Sequence, residues 1–269
     1  MVGTSDGARR TIVQQGFCWR ALGTPTVQFE ADERQIVDRQ EEFSLLRCGS
    51  AVEAVPGSKI TFVIFGGISE GIGIPPFEFR RMMADIPANR IYVRDFAQAW
   101  YHAGIDDSAP SLDGAVATIK SMLDSIDTQH TIFVGNSMGG FAALLLGNKL
   151  RADKVIAFAP QTYVSPFKRL KTRDFRWMRQ ITRMYVANGL SKPTYDLRKY
   201  LSASSYKPSS DIYYGEASRL DKLHAQNVTD VENVKLHAFS GEGHGLVKEL
   251  RASGRLEQIL MNCVLEAKP

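Results

Sequence analysis

Residues 135–140 read GNSMGG, entered through TIFV and left through FAALLLGNKL. The first flank is a short apolar run with a β-branched and aromatic bias, the pattern of a buried strand; the second is apolar and long enough for a buried helix. Serine suits neither element, yet Ser137 stands where one gives way to the other. Gly135 and Gly139, two residues before and two after, remove the side chains that would crowd a tight turn there. Such a turn holds a serine out for chemistry. It also obliges the rest of the chain to supply a base, an acid and an oxyanion site.

The surrounding sequence repeats the strand-then-helix alternation. ITFVIFGG at 60–67, RIYVRDF at 90–96, TIFVGNS at 131–137, KVIAFAP at 154–160, DIYYGE at 211–216 and VKLHAFSG at 234–241 read as strands. TVQFE at 26–30 and FSLLRC at 43–48 are candidate early strands. A helix is expected over 111–126 with Ser111 as N-cap, and a last helix from residue 246 broken near Gly254. This alternation predicts an α/β chain with a mostly parallel central sheet covered by helices on both faces. Residues 164–207 lack a strand pattern and read as a short helical cap insertion within a single domain spanning 1–269. The first twenty residues are expected to be loose.

Composition narrows the class. Hydrophobic residues at 44% and charged residues at 23% are those of a soluble globular protein. The net charge of +4 comes with no RNA-binding motif, so no nucleic-acid partner is expected. Three widely spaced cysteines, Cys18, Cys48 and Cys263, suggest neither a disulfide framework nor a metal site. No run approaches the roughly 18 apolar residues of a membrane span, and no apolar core for a signal peptide opens the chain. A cytoplasmic protein without membrane partner, metal or organic cofactor is expected.

Gly135-Asn136-Ser137-Met138-Gly139 is a G-x-S-x-G pentapeptide in strand–turn–helix context, and on these residues the chain resembles the α/β-hydrolase superfamily, from about residue 60 to the last helix. The resemblance implies an order of nucleophile, acid, histidine. Ser137 would be the nucleophile. Of the five histidines, His102 and His130 precede it, and His237 lies inside a strand pattern. His244, in the glycine-flanked loop GEGHGL just beyond the last strand, matches the position of the family's histidine. The acid departs from the commoner G-x-x-D pattern: Gly215-Glu216-Ala217 is followed by Ser218. Asp221, read as lying on the loop beyond, is the preferred acid, with Glu216 the alternative and with helix N-capping the competing role for Asp221. The oxyanion site would use the backbone N–H of Met138 and that of Gly67, with Ile68 the alternative donor.

The cap carries its own signal. Residues 166–199 hold ten basic side chains against Asp174 and Asp196, a net of +8, so the remainder of the chain is net acidic. This is either a solvated face or a surface that attracts an anionic acyl substrate. The function expected is hydrolysis of an ester or thioester through an acyl-enzyme on Ser137. Acyl transfer from the same intermediate and a non-catalytic binding protein on the same scaffold are the alternatives.

Overall fold

The computed structural model describes residues 11–14, 17–21, 49–68 and 79–267. Its strands are β1 Thr11–Gln14, β2 Phe17–Ala21, β3 Ser50–Ala54, β4 Ile60–Phe65, β5 Asn89–Val93, β6 His130–Asn136, β7 Lys154–Phe158, β8 Ser209–Gly215 and β9 Val234–Phe239. They form one sheet in the order β1-β2-β3-β5-β4-β6-β7-β8-β9. From β5 through β4 to β9 every pairing is parallel, whereas β3 runs antiparallel to β5. The six strands read from apolar runs all form, within a few residues of the expected bounds. The candidates at 26–30 and 43–48 lie outside the described residues. Near the N-terminus, β1 and β2 pair as antiparallel strands.

Parallel strands must be covered on both faces, and the side chains divide accordingly. Along β4, Val63 and Phe65 enter one core while Ile60, Phe62 and Ile64 enter the other. This is the period-2 alternation of a strand. On the first face lies α2 Leu112–Asp124, capped by Ser111, whose side chain accepts from the Gly114 N–H, and α3 Met138–Lys149. Every residue of α3 from Met138 to Asn148 is buried, which explains why its sequence is apolar all round rather than amphipathic. The opposite face is covered by α8 Leu246–Ala252 and α9 Arg255–Glu266, with Met83 of α1 Arg80–Met83. Gly254, at φ 72°, makes the break between those last two helices.

Between β7 and β8 the chain forms α4 Pro166–Thr172, α5 Met178–Asn188, a 3-10 turn at Pro193–Tyr195 and α6 Leu197–Ala203. The helix α7 Arg219–Gln226 follows β8. The strands β4, β6, β7, β8 and β9 therefore all discharge their loops at one edge of the sheet, the edge where open parallel sheets bind ligands.

Candidate active site

Ser137 sits at the junction of β6 and α3 with φ 54° and ψ −113°. A non-glycine residue held there stores about 1–3 kcal/mol of backbone strain, which the surrounding structure must impose. Three backbone bonds do so: Ser137 N–H donates to Phe158 O at 2.8 Å, and Ser137 O accepts from Phe141 and Gln161 N–H at 3.1 and 3.2 Å. Sterics permit the turn only with glycines. A Cβ on Gly135 would lie 2.1 Å from Gly139 O, and one on Gly139 would lie 2.3 Å from Phe65 O. The second contact also fixes geography, because it seats the first turn of α3 against the end of β4, where the Gly66-Gly67 loop departs.

His244 lies in the turn between β9 and α8, and its Nε2 is 3.4 Å from Ser137 Oγ. Its Nδ1 is 2.9 Å from both Oδ1 and Oδ2 of Asp221. An ionised carboxylate only accepts, so Nδ1 carries the proton and Nε2 presents its lone pair to the serine. The 3.4 Å separation is long for a hydrogen bond, as resting sites of this kind often are before substrate closes them. The turn is tied down by the Ala217 N–H, which donates to Glu242 O at 2.8 Å. This bond holds the histidine loop beside the β8–α7 connection.

The three candidate residues are thus brought together, but Asp221 reaches the histidine by a different route from the one expected. It is not on a loop. Helix α7 starts at Arg219, and Asp221 occupies its first turn. Ser218, the residue that stands in place of the commoner aspartate, is the N-cap and accepts from Asp221 N–H at 3.3 Å. With the capping role filled by Ser218, the Asp221 carboxylate is released toward His244. Glu216 is not part of the cluster: its carboxylate accepts from Ser240 Oγ at 3.0 Å on the exposed rim. Asp221 is 1% exposed, while the His244 side chain is 39% exposed, so the cluster opens to solvent on the histidine side. Burial by itself would raise the Asp221 pKa, but the bond and charge of His244 and the charge of Arg176 outweigh it and hold the carboxyl below its ordinary value.

Arg176 was counted in the sequence only as one of ten basic cap residues. Its Nη1 donates to Asp221 Oδ1 at 3.0 Å. Its Nε and Nη2 grip Asp174, each at 3.0 Å. Asp174, fully buried, also accepts from His224 Nε2 at 2.9 Å. His224 Nδ1 in turn accepts from Thr162 N–H at 3.1 Å, which fixes the tautomer: only Nε2 can carry the proton. Burial pushes the His224 pKa down to about 4 despite Asp174, so the ring is neutral. Burial opposes ionisation of Asp174, yet the bonds from His224 and Arg176 hold its carboxyl well below the usual range. The available signal for this group was a lone aspartate set among arginines, since Asp174 and Asp196 are the only acids of the cap segment.

Two of the other histidines are satisfied elsewhere. His237 Nε2 meets Asp211 at 2.8 Å and its ring stacks on Tyr213, and buried His102 Nε2 meets Thr194 Oγ1 at 2.9 Å. Met138 opens α3, so its N–H is one of the first-turn donors that no helical carbonyl reaches. Gly66 N–H is engaged with Val93 O at 3.0 Å, and Gly67 and Ile68 follow it in the loop after β4. Much of the cap's charge is spent internally: Arg169 and Arg176 pair with Asp174, Lys168 with Asp196 and Arg198 with Asp230. Among the described residues no helix is long and apolar enough to cross a membrane.

No family model matches the chain, and no curated protein sequence matches it. Solved structures do. The capsule O-acetyltransferase of Neisseria meningitidis serogroup A is similar with a TM-score of 0.57 at 18% identity, over 78% of this chain and 92% of that one. The fluorophosphonate-binding serine hydrolase F of Staphylococcus aureus is similar with a TM-score of 0.55 at 15% identity, over 77% and 85% of the two chains. A monoacylglycerol lipase of Paleococcus ferrophilus is similar with a TM-score of 0.53 at 13% identity, over 81% and 98%. At these identities the likeness concerns architecture, and it agrees with the strand order, the parallel sheet and the helices on its two faces: the chain has the α/β-hydrolase fold.

Proposed function

We propose that the protein is a serine hydrolase that cleaves an ester or thioester through an acyl-enzyme on Ser137. The observation that carries this reading is the unbroken chain of contacts from Ser137 Oγ through His244 to Asp221, on a serine whose backbone is held in a strained turn. In the first half-reaction Ser137 Oγ attacks the acyl carbonyl carbon while His244 Nε2 takes its proton. The carbonyl oxygen becomes an oxyanion, which the backbone N–H groups of Met138 and Gly67 stabilise. Collapse breaks the bond to the leaving group, which departs with the proton from His244. Water then repeats the sequence on the acyl-enzyme, giving its proton to His244 and releasing the acid with Ser137 restored. Asp221 keeps Nδ1 protonated and stabilises the imidazolium formed in each half.

The likeness to an O-acetyltransferase supports a second reading, in which an alcohol rather than water takes the acyl group. Both readings share the acyl-enzyme and differ only in what is admitted to it. The uncompensated basic residues of the cap, with exposed Phe167, Leu170 and Phe175 beside them, suit an acyl substrate bearing an anionic group. Turnover of p-nitrophenyl esters tests the first reading: Ser137→Ala abolishes it if the reading holds. Adding graded alcohol acceptors then partitions the acyl group. Formation of new ester at the expense of free acid selects transfer, and an unchanged acid yield selects hydrolysis.

A further inference from the structure

The cap and the candidate catalytic acid meet at one side chain. Arg176 lies in the turn between α4 and α5, so it belongs to the insertion and not to the sheet scaffold. Its guanidinium is gripped on one side by Asp174 and bonded on the other to Asp221 Oδ1 at 3.0 Å. Its own backbone is held in turn, since Arg169 Nη2 donates to Arg176 O at 2.5 Å. Behind Asp174, neutral His224 donates one more bond and is itself locked by Thr162. A planar fork with rigid partners on both edges has little freedom left, which is the condition for orienting a carboxylate.

We propose that Arg176 is a positioning residue of the site, a cap arginine that fixes the Asp221 carboxylate toward His244 and sets how far into the acid range the enzyme stays active. The proposal rests on the reading of Ser137, His244 and Asp221 as the reacting group. Its electrostatic half follows from sign alone. A positive charge beside the carboxylate offsets part of the negative charge that an imidazole bonded to that carboxylate feels, and so opposes protonation of the ring. The charged groups around His244 are Asp221 from α7, Arg176 from the cap turn with Asp174 and His224 behind it, Glu242 on its own loop and Glu216 on the β8–α7 loop, whose carboxylate is turned to Ser240. Of these, Arg176 is the cation bonded to the acid that His244 uses.

The role predicts opposite shifts from two neighbours. Arg176→Gln removes the charge, so the acid limb of the kcat/KM profile moves to higher pH by about one unit, and kcat per active site falls about tenfold as Asp221 loosens. Arg176→Lys keeps the charge and returns the acid limb toward its original position. Asp174→Asn leaves Arg176 less neutralised against Asp221, so its acid limb moves to lower pH. Active sites are counted by stoichiometric fluorophosphonate labelling, so a partly unfolded preparation lowers the count and leaves the profile of the remainder intact. If Arg176→Gln does not fold, Asp174→Asn decides. An acid limb unmoved in the folded variants, or moved in the same direction by both, overturns the proposal. Labelling that survives Ser137→Ala would instead overturn the reading beneath it, and the two failures are thereby separate.

Discussion

Replacing Asp221 with asparagine tests the geometry of the acid more sharply than removing it. The two carboxylate oxygens are both 2.9 Å from His244 Nδ1, and Oδ1 also accepts from Arg176 at 3.0 Å. Arginine has donors only, so an asparagine at this position must turn its carbonyl oxygen to Arg176. Its NH2 then falls where Oδ2 was, within bonding distance of Nδ1. That donor competes with the carbonyl oxygen, which stays 2.9 Å from Nδ1, and populates the tautomer with the proton on Nε2, an imidazole that cannot accept the proton of Ser137. The negative charge that stabilises the imidazolium is lost as well. Together these should lower kcat by about 10⁴, or about 5 kcal/mol of transition-state stabilisation. The assay is p-nitrophenyl ester turnover normalised to labelled sites, with melting temperature as a control on folding. A loss of less than tenfold in a folded Asp221→Asn protein would refute the assignment of the acid.

His244→Ala should reduce turnover by several orders of magnitude, while His237→Ala, which loses only its bond to Asp211 and its stacking on Tyr213, should keep most activity; the reverse ranking in the same ester assay would displace His244. Glu216→Gln should leave turnover close to wild type, because its carboxylate serves Ser240; a loss beyond tenfold would make it the acid. Gly139→Ala places a methyl 2.3 Å from Phe65 O and should displace the elbow, lowering both the melting temperature and the rate of labelling at Ser137, and an unchanged protein would contradict the packing. Burial pushes the His102 pKa down to about 4, so the native protein resists a proton that the unfolded chain takes up near pH 6.5. Stability should therefore fall by about 3 kcal/mol from this residue as the pH drops from about 6.5 to about 4, and denaturant titrations of folded His102→Gln should show that slope removed.

Much of the sheet was legible because its central strands are short apolar runs, several ended by glycine or proline, as burial on both faces demands of a parallel strand. β3 was missed: SAVEA is short, and its Glu53 looks wrong for a buried position until Arg80 and Arg90 are seen to pair with it. Ser137 and His244, which the structure brings to 3.4 Å, are each marked in the sequence by glycines at an element boundary. Asp221 lies against His244, but on the first turn of a helix and not on the loop expected for it. Ser218 stands three residues before Asp221, the spacing of a helix N-cap, so the helix begins at Arg219 rather than beyond Asp221. The Asp174–Arg176–His224 group could not be read from order along the chain. Its members come from the cap turn and α7, and nothing but the packing of the insertion onto the sheet edge brings them within bonding distance.

Ser137 is proposed to be a nucleophile activated by His244. Intact-mass measurement after exposure to a fluorophosphonate tests it most directly, since the reagent adds to an activated serine and the adduct can be located by peptide mapping. One adduct per chain is expected, mapped to Ser137, absent from Ser137→Ala and strongly slowed in His244→Ala. No adduct on the folded wild-type protein, or an equal adduct on Ser137→Ala, would contradict it.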